Sequence, residues 1–88
     1  MAERVSVIVN PEAGRGRGRR MISEITARFA EAGINDIRLT STAGEERVIA
    51  RDAIASGATT LAVVGGDGTT NHVANAILDS GSDVRLAI

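Results

Sequence analysis

The stretch LAVVGGDGTTNHVANAI, residues 61–77, runs from an apolar segment into Gly65, Gly66, Asp67, Gly68 and Thr69 and then turns apolar again. Glycines remove Cβ atoms, so backbone N–H groups can approach a ligand closely and take conformations closed to other residues. Where such a loop opens a helix, free N–H groups and the positive end of the helix dipole favour an anion, phosphate above all. Asp67 would by itself repel phosphate, so an acid in this place fits a bridging Mg²⁺ or a hydrogen bond to a sugar hydroxyl. A tight turn with Asp67 or Thr69 as the helix N-cap would account for one polar residue. It does not need three glycines around one acid, and the loop therefore reads as a ligand site.

A second glycine-rich segment, NPEAGRGRGRR at residues 10–20, follows an earlier apolar run. It matches neither the dinucleotide G-x-G-x-x-G fingerprint nor G-x-x-x-x-G-K-[ST]. Asn10 can hydrogen-bond a nucleotide or close an Asx turn before Pro11. Arg15, Arg17, Arg19 and Arg20 form the basic cluster of the chain, suited to phosphate, to an anionic lipid surface, or simply to a solvated helix start. Thr40 and Thr42 stand at the end of another apolar run, where one can reach a phosphate and Thr42 serves equally as a helix cap. His72, expected in the first turn of the last helix, sits beside the Gly65–Thr69 loop; a lone histidine there is more often a surface or hydrogen-bonding residue than a catalyst. Asn71 and Asn75 are one helical turn apart, and a solvated face accounts for Asn75.

The elements that must position these residues follow from periodicity. VSVIVN (residues 5–10), DIRLTS (36–41), LAVVGG (61–66) and VRLAI (84–88) read as strands, the first apolar on both alternating sets as in a parallel sheet. Met21, Ile22, Ile25 and Phe29 mark a helix from about Arg19 to Ala32 with Gly33 at its end. Val48, Ile49, Ala53 and Ile54 mark a second helix, opened by a Thr42-Ala43-Gly44-Glu45 capping box and closed at Gly57. A third is expected from Thr70 to Leu78. The alternation predicts a doubly wound, mainly parallel α/β sheet with helices on both faces. In such sheets ligands bind beyond the carboxyl ends of the strands. Residues 10–18 and 65–70 border one crevice if the first and third strands are neighbours, as in a 2-1-3-4 order.

Composition narrows the function classes. The 88 residues are 43% hydrophobic and 24% charged, ordinary for a folded domain, with a net charge of −1 that gives no global attraction to nucleic acid. All ten basic residues are Arg, so a P-loop lysine is absent. No cysteine and one histidine exclude disulfides, thiolate metal sites and multi-histidine sites. The amino-terminal apolar run is too short for a signal peptide, and no run approaches the ~20 residues of a membrane span. The expectation is a cytoplasmic protein, soluble or peripheral to a membrane.

VIVNPEAGRGRG followed by VVGGDGTTNHVANAI resembles the N-terminal half of the diacylglycerol kinase catalytic domain, whose superfamily includes bacterial lipid kinases and sphingosine and ceramide kinases. The resemblance spans essentially the whole chain in order. GGDGT alone is shared with NAD kinases; the Asn10-Pro11-x-x-Gly14 opening is what favours the lipid-kinase branch. The resemblance implies an ATP-dependent kinase that phosphorylates a lipid hydroxyl, diacylglycerol-like or sphingoid, with Mg²⁺. It places Asn10, Gly65, Gly66, Asp67, Gly68 and Thr69 around the ATP, Asp67 near the metal, and Thr40 on a phosphate, with Thr42 the alternative.

Two departures accompany it. His72 stands where members of the family commonly carry Glu. The chain also ends before the family's next nucleotide-site segment, a Pro-x-Gly-Thr-x-Asn-Asp type loop, and before the β-rich C-terminal domain that supplies the lipid site and the general base. Residues 1–88 are thus expected to be the nucleotide-binding part of an incomplete catalytic domain, with its general base beyond Ile88. An NAD kinase fragment is one alternative. The other is a non-catalytic α/β module that binds a nucleotide or protein, or a second copy of itself, through the edge strand at residues 84–88.

Overall fold

The computed structural model describes residues 3–11, 13–41 and 44–88, with the side chains of residues 13–21 outside that description. Strands and helices alternate as β1 (Val5–Val9), α1 (Ala13–Glu31), β2 (Asp36–Leu39), α2 (Glu45–Ala55), β3 (Thr60–Val64), α3 (Asp67–Ser80) and β4 (Arg85–Ala87). The strands form one parallel sheet in the order β2-β1-β3-β4, with Val7 opposite Ile37 on one side and Ala62 on the other. This is the α/β architecture that the sequence pattern implied, and the strand order is the 2-1-3-4 order on which a shared crevice was conditional. The chain steps one way from β1 to β2 and the other way from β2 to β3 and β4. Right-handed crossovers then put α1 on one face and α2 and α3 on the other.

The core explains why β1 is apolar on both sets of positions. Ile8 of β1 and Leu61 and Val63 of β3 pack against Ala50 and Ala53 of α2 and Val73 and Ala76 of α3. Alanine at those helix positions lets α2 and α3 lie close to each other and to the sheet. Val7 and Val9 alternate to the opposite face and are buried as completely as Ile8. On α1, Ile22, Ile25 and Phe29 are half-buried, at the helical spacing expected of them.

Two helix starts and one helix face differ from the sequence expectation. α1 begins at Ala13, not near Arg19, so Gly14, Gly16 and Gly18 lie in a helix and not in a loop. Each glycine weighs about 1 kcal/mol against a helix, which is why the segment reads as a loop; α1 nonetheless runs through all three. α3 begins at Asp67, three residues before Thr70. On α2 the buried line is Glu46, Ala50 and Ala53, at i, i+4 and i+7, while Val48 is 55% exposed and Ile49 and Ile54 only flank the core. A charged residue on the buried line rotated the apolar pattern away from the true face. Gly33 and Gly57 do end their helices, with φ of +81° and +104°. Thr42 and its capping box lie outside the described residues; the described N-cap of α2 is Gly44, without a side-chain hydrogen bond. Among the described residues no helix is long and apolar enough to cross a membrane.

At the start of β2, Asp36 accepts from Arg38 Nε at 2.9 Å and from Ser6 Oγ at 2.5 Å. The Arg38 hydrogen bond is the largest influence and holds the Asp36 carboxyl below its ordinary range, against partial burial that pushes it up; the Ser6 hydroxyl adds to the lowering. A depressed carboxyl contributes stability that is complete above its unfolded-state pKa and disappears as pH falls through the lower, folded-state value. Arg38→Ala should return the Asp36 titration toward the ordinary range in a carboxyl-carbon NMR titration. Because the pair is partly solvated, the variant should lose less than about 1 kcal/mol at neutral pH. The difference from the parent should vanish at pH values below the folded-state titration. An unmoved Asp36 titration would mean that Arg38 does not control it.

Candidate functional site

The chain leaves β1 toward one face of the sheet and β3 toward the other, so β1 and β3 part at their carboxyl ends. That is the switch point at which doubly wound sheets open a crevice. Asn10 follows β1 directly, and its backbone N–H donates to the Val64 carbonyl at 2.9 Å, carrying the β1–β3 pairing to the rim. Thr40 does the same after β2, donating its N–H to the Val9 carbonyl at 3.0 Å, and is buried.

Thr69 joins the two sides of the crevice. It lies in the first turn of α3, is 3% exposed, and its Oγ1 accepts from Asn10 Nδ2 at 3.2 Å. The same hydroxyl donates to Glu46 Oε2 of α2 at 3.3 Å. Three elements separated in sequence are thereby tied at one oxygen. The approach of Thr69 also explains Gly65: a Cβ there would stand 2.8 Å from Thr69 Oγ1 and 2.9 Å from its Cβ. Gly66 and Gly68 have open space at that position, so packing does not require their lack of a side chain.

The start of α3 presents backbone donors at the crevice. Gly66 is the N-cap and no side chain caps the helix; the first turn closes with Thr70 N–H donating to the Gly66 carbonyl at 3.1 Å. The N–H groups of Asp67, Gly68 and Thr69 precede that bond and face out of the helix end. Asp67 is the first helical residue and is exposed, so neither Asp67 nor Thr69 is the N-cap. His72 and Asn75 are half-buried, and His72 falls in the second turn because the helix starts earlier than expected. An open depression of about 550 Å³ lies along this end, lined by Asp67, Gly68, Thr70, Asn71 and Ala74.

Among the described residues no group of three or more His, Asp or Glu could hold a metal ion by itself. One exposed carboxylate suits Mg²⁺, which keeps several waters and takes one or two carboxylates together with phosphate oxygens. Another cavity, about 490 Å³ and lined by Arg4, Ser6, Ile34, Asp36 and Ser56 among others, lies at the amino ends of the strands. Asn10, Thr40 and the Gly65–Thr69 loop follow the opposite, carboxyl ends of the strands.

The structure thus joins Asn10 and Thr69 by a hydrogen bond and packs Gly65 against Thr69, with Gly66, Asp67 and Gly68 at the mouth and Thr40 at the neighbouring strand end. The sequence reading missed Glu46. It is 5% exposed, sits in the first turn of α2, and its Oε1 is buried without a hydrogen-bond partner among the described residues. The signal was the spacing of Glu46 to Ala50 and Ala53, which puts an acid on a small-residue helix face.

The diacylglycerol kinase catalytic domain family matches residues 4–88. A diacylglycerol kinase of Staphylococcus carnosus (strain TM300) is 32% identical over 89 residues, covering all of this chain and 29% of that protein. A crystal structure of a diacylglycerol kinase from Bacillus anthracis strain Sterne superposes with a TM-score of 0.70 at 30% identity, over 96% of this chain and 31% of that one. Another crystal structure from the same organism gives 0.71, with 29% of its chain covered. The chain therefore spans less than a third of the length of these relatives.

The glycines of the loop should separate in a denaturation experiment. Gly65→Ala forces Thr69 to move and should cost about 1–3 kcal/mol in urea unfolding, as overpacked sites do. Gly68→Ala, in open space at a helical φ, should stabilise by about 0.4–1 kcal/mol. A Gly65→Ala protein as stable as the parent would contradict the close approach of Thr69.

Proposed function

The chain belongs to the diacylglycerol kinase catalytic domain family, and from that premise we propose that residues 1–88 form the nucleotide-binding part of an ATP-dependent lipid kinase. The observation that carries this is the convergence of Asn10, Thr69 and the uncapped start of α3 at the crevice between β1 and β3. Phosphoryl transfer asks a protein chiefly to position its reactants and to neutralise charge. The N–H groups of Asp67, Gly68 and Thr69 would hold phosphate oxygens, and the absence of side chains at Gly66 and Gly68 would let the nucleotide approach the backbone. Thr40 would offer its hydroxyl from the end of β2. Asn10, held by Thr69, would line the wall opposite α3. Mg²⁺ bound between Asp67 and the phosphates would offset their charge. The acceptor would be a lipid hydroxyl, and its binding site and the general base would lie outside these 88 residues, consistent with relatives more than three times as long. Membership of this family favours the lipid kinase over the NAD kinase alternative.

Calorimetric titration of ATP into the folded chain, with and without Mg²⁺, tests this. The parent should bind Mg²⁺-ATP, and Asp67→Ala should weaken that binding about tenfold or more, equivalent to at least about 1.4 kcal/mol. Without Mg²⁺ the sign should reverse, because removing Asp67 then only relieves repulsion of the phosphates. A folded parent that takes up no nucleotide would oppose the proposal. Equal affinities of parent and variant in both buffers would remove Asp67 from the site.

A further inference from the structure

A buried carboxylate accepting one hydrogen bond is a poor structural device. Glu46 is 5% exposed, and of its two oxygens Oε2 accepts from Thr69 Oγ1 while Oε1 has no partner among the described residues. Leaving a buried acceptor unmade costs free energy, more so for a charged group, and an apolar residue of similar shape at such a place is often neutral or stabilising. The position is otherwise apolar in character: Glu46 shares its line on α2 with the fully buried Ala50 and Ala53. What the carboxylate does that an apolar side chain cannot is fix the direction of a hydrogen-bond chain. In the structure the Thr69 hydroxyl gives its single proton to Glu46, and its lone pairs face Asn10. Asn10 must in turn present its amide Nδ2 to Thr69, at 3.2 Å, and not its carbonyl oxygen.

We propose that Glu46 is a positioning residue of the crevice: acting through the Thr69 hydroxyl, it sets which end of the Asn10 side-chain amide faces α3 and holds the Gly65–Thr69 loop against β1, without itself touching ligand. The inference deepens the nucleotide-binding reading and rests on it for its effect on affinity, but its hydrogen-bond polarity is a property of the free protein. Through this hydrogen bond Glu46 links α2, a helix outside the loop, to the loop itself.

The test uses Glu46→Leu and Glu46→Gln, the second able to accept from Thr69 through its amide oxygen, with exposed Glu24→Gln as control. The first readout needs no ligand: the Asn10 side-chain amide resonances in a ¹H–¹⁵N spectrum. They should shift in Glu46→Leu, return most of the way in Glu46→Gln and stay fixed in the control, while the thermal midpoint of Glu46→Leu is equal to or above that of the parent. The second readout is Mg²⁺-ATP affinity, which should fall about tenfold or more in Glu46→Leu and stay within about threefold in Glu46→Gln. In a Thr69→Val background Glu46→Leu should have no further effect on either readout, since the chain is already broken. Asn10 resonances unmoved by Glu46→Leu, or losses that add fully in the double variant, would overturn the proposal. So would a Glu46→Leu protein too unstable to fold together with a folded Glu46→Gln protein whose Asn10 amide resonances shift as far as those of Thr69→Val. If the amide readout responds as expected and the parent takes up no Mg²⁺-ATP, the positioning role stands and the nucleotide assignment fails.

Discussion

One hydroxyl organises this molecule's functional end. Thr69 Oγ1 accepts from Asn10 at the end of β1 and donates to Glu46 at the start of α2, while its own helix starts at the end of β3. Each group contributes modestly as a single hydrogen bond, about 0.5–1.5 kcal/mol or somewhat more where a charge is involved. Their shared oxygen is what makes the arrangement geometric: moving any one element displaces the other two. Gly65 follows from it, because only a residue without Cβ lets Thr69 come that close.

The parallel sheet supplies the frame. With β1 and β3 adjacent and their following helices on opposite faces, the carboxyl ends part and leave a crevice that the loop can line. The core beneath consists of aliphatic side chains and alanines, with Ile8, Leu61 and Val73 fully buried and α2 and α3 drawn together by Ala50, Ala53 and Ala76. Close helix packing delivers Glu46 to Thr69. Stability and site geometry thus share the same contacts, and the polar cluster sits as a cap on an apolar core.

Much of this was legible in the residues. The β-branched run at Val5–Val9, the helical spacing of Ile22, Ile25 and Phe29, and glycines at the helix ends all carry local signals that survive in the fold. Alternation alone leaves the strand order open; once the order β2-β1-β3-β4 is in place, the nearness of Asn10 to the Gly65–Thr69 loop follows from it. What local pattern could not supply depends on tertiary context. Glycines at 14, 16 and 18 weigh against a helix by propensity, yet α1 runs through them. Val48 looks like a core residue and is exposed, whereas Glu46 looks like a surface residue and is buried; both errors come from counting only apolar side chains toward the inner face of α2. A buried acid is visible only when the partner that donates to it, 23 residues away, is in place.

The central claim is that the crevice between β1 and β3 at the carboxyl end of the sheet takes the phosphates of a nucleotide. Its most direct test is a ¹H–¹⁵N titration of the isotope-labelled chain with Mg²⁺-ATP, following backbone amides residue by residue. The largest shifts should fall at Gly66, Asp67, Gly68 and Thr69, with smaller ones at Asn10 and Thr40, and none around Arg4 and Asp36 at the opposite end. Shifts concentrated around the cavity lined by Arg4, Ile34 and Asp36, with the start of α3 unchanged, would contradict it.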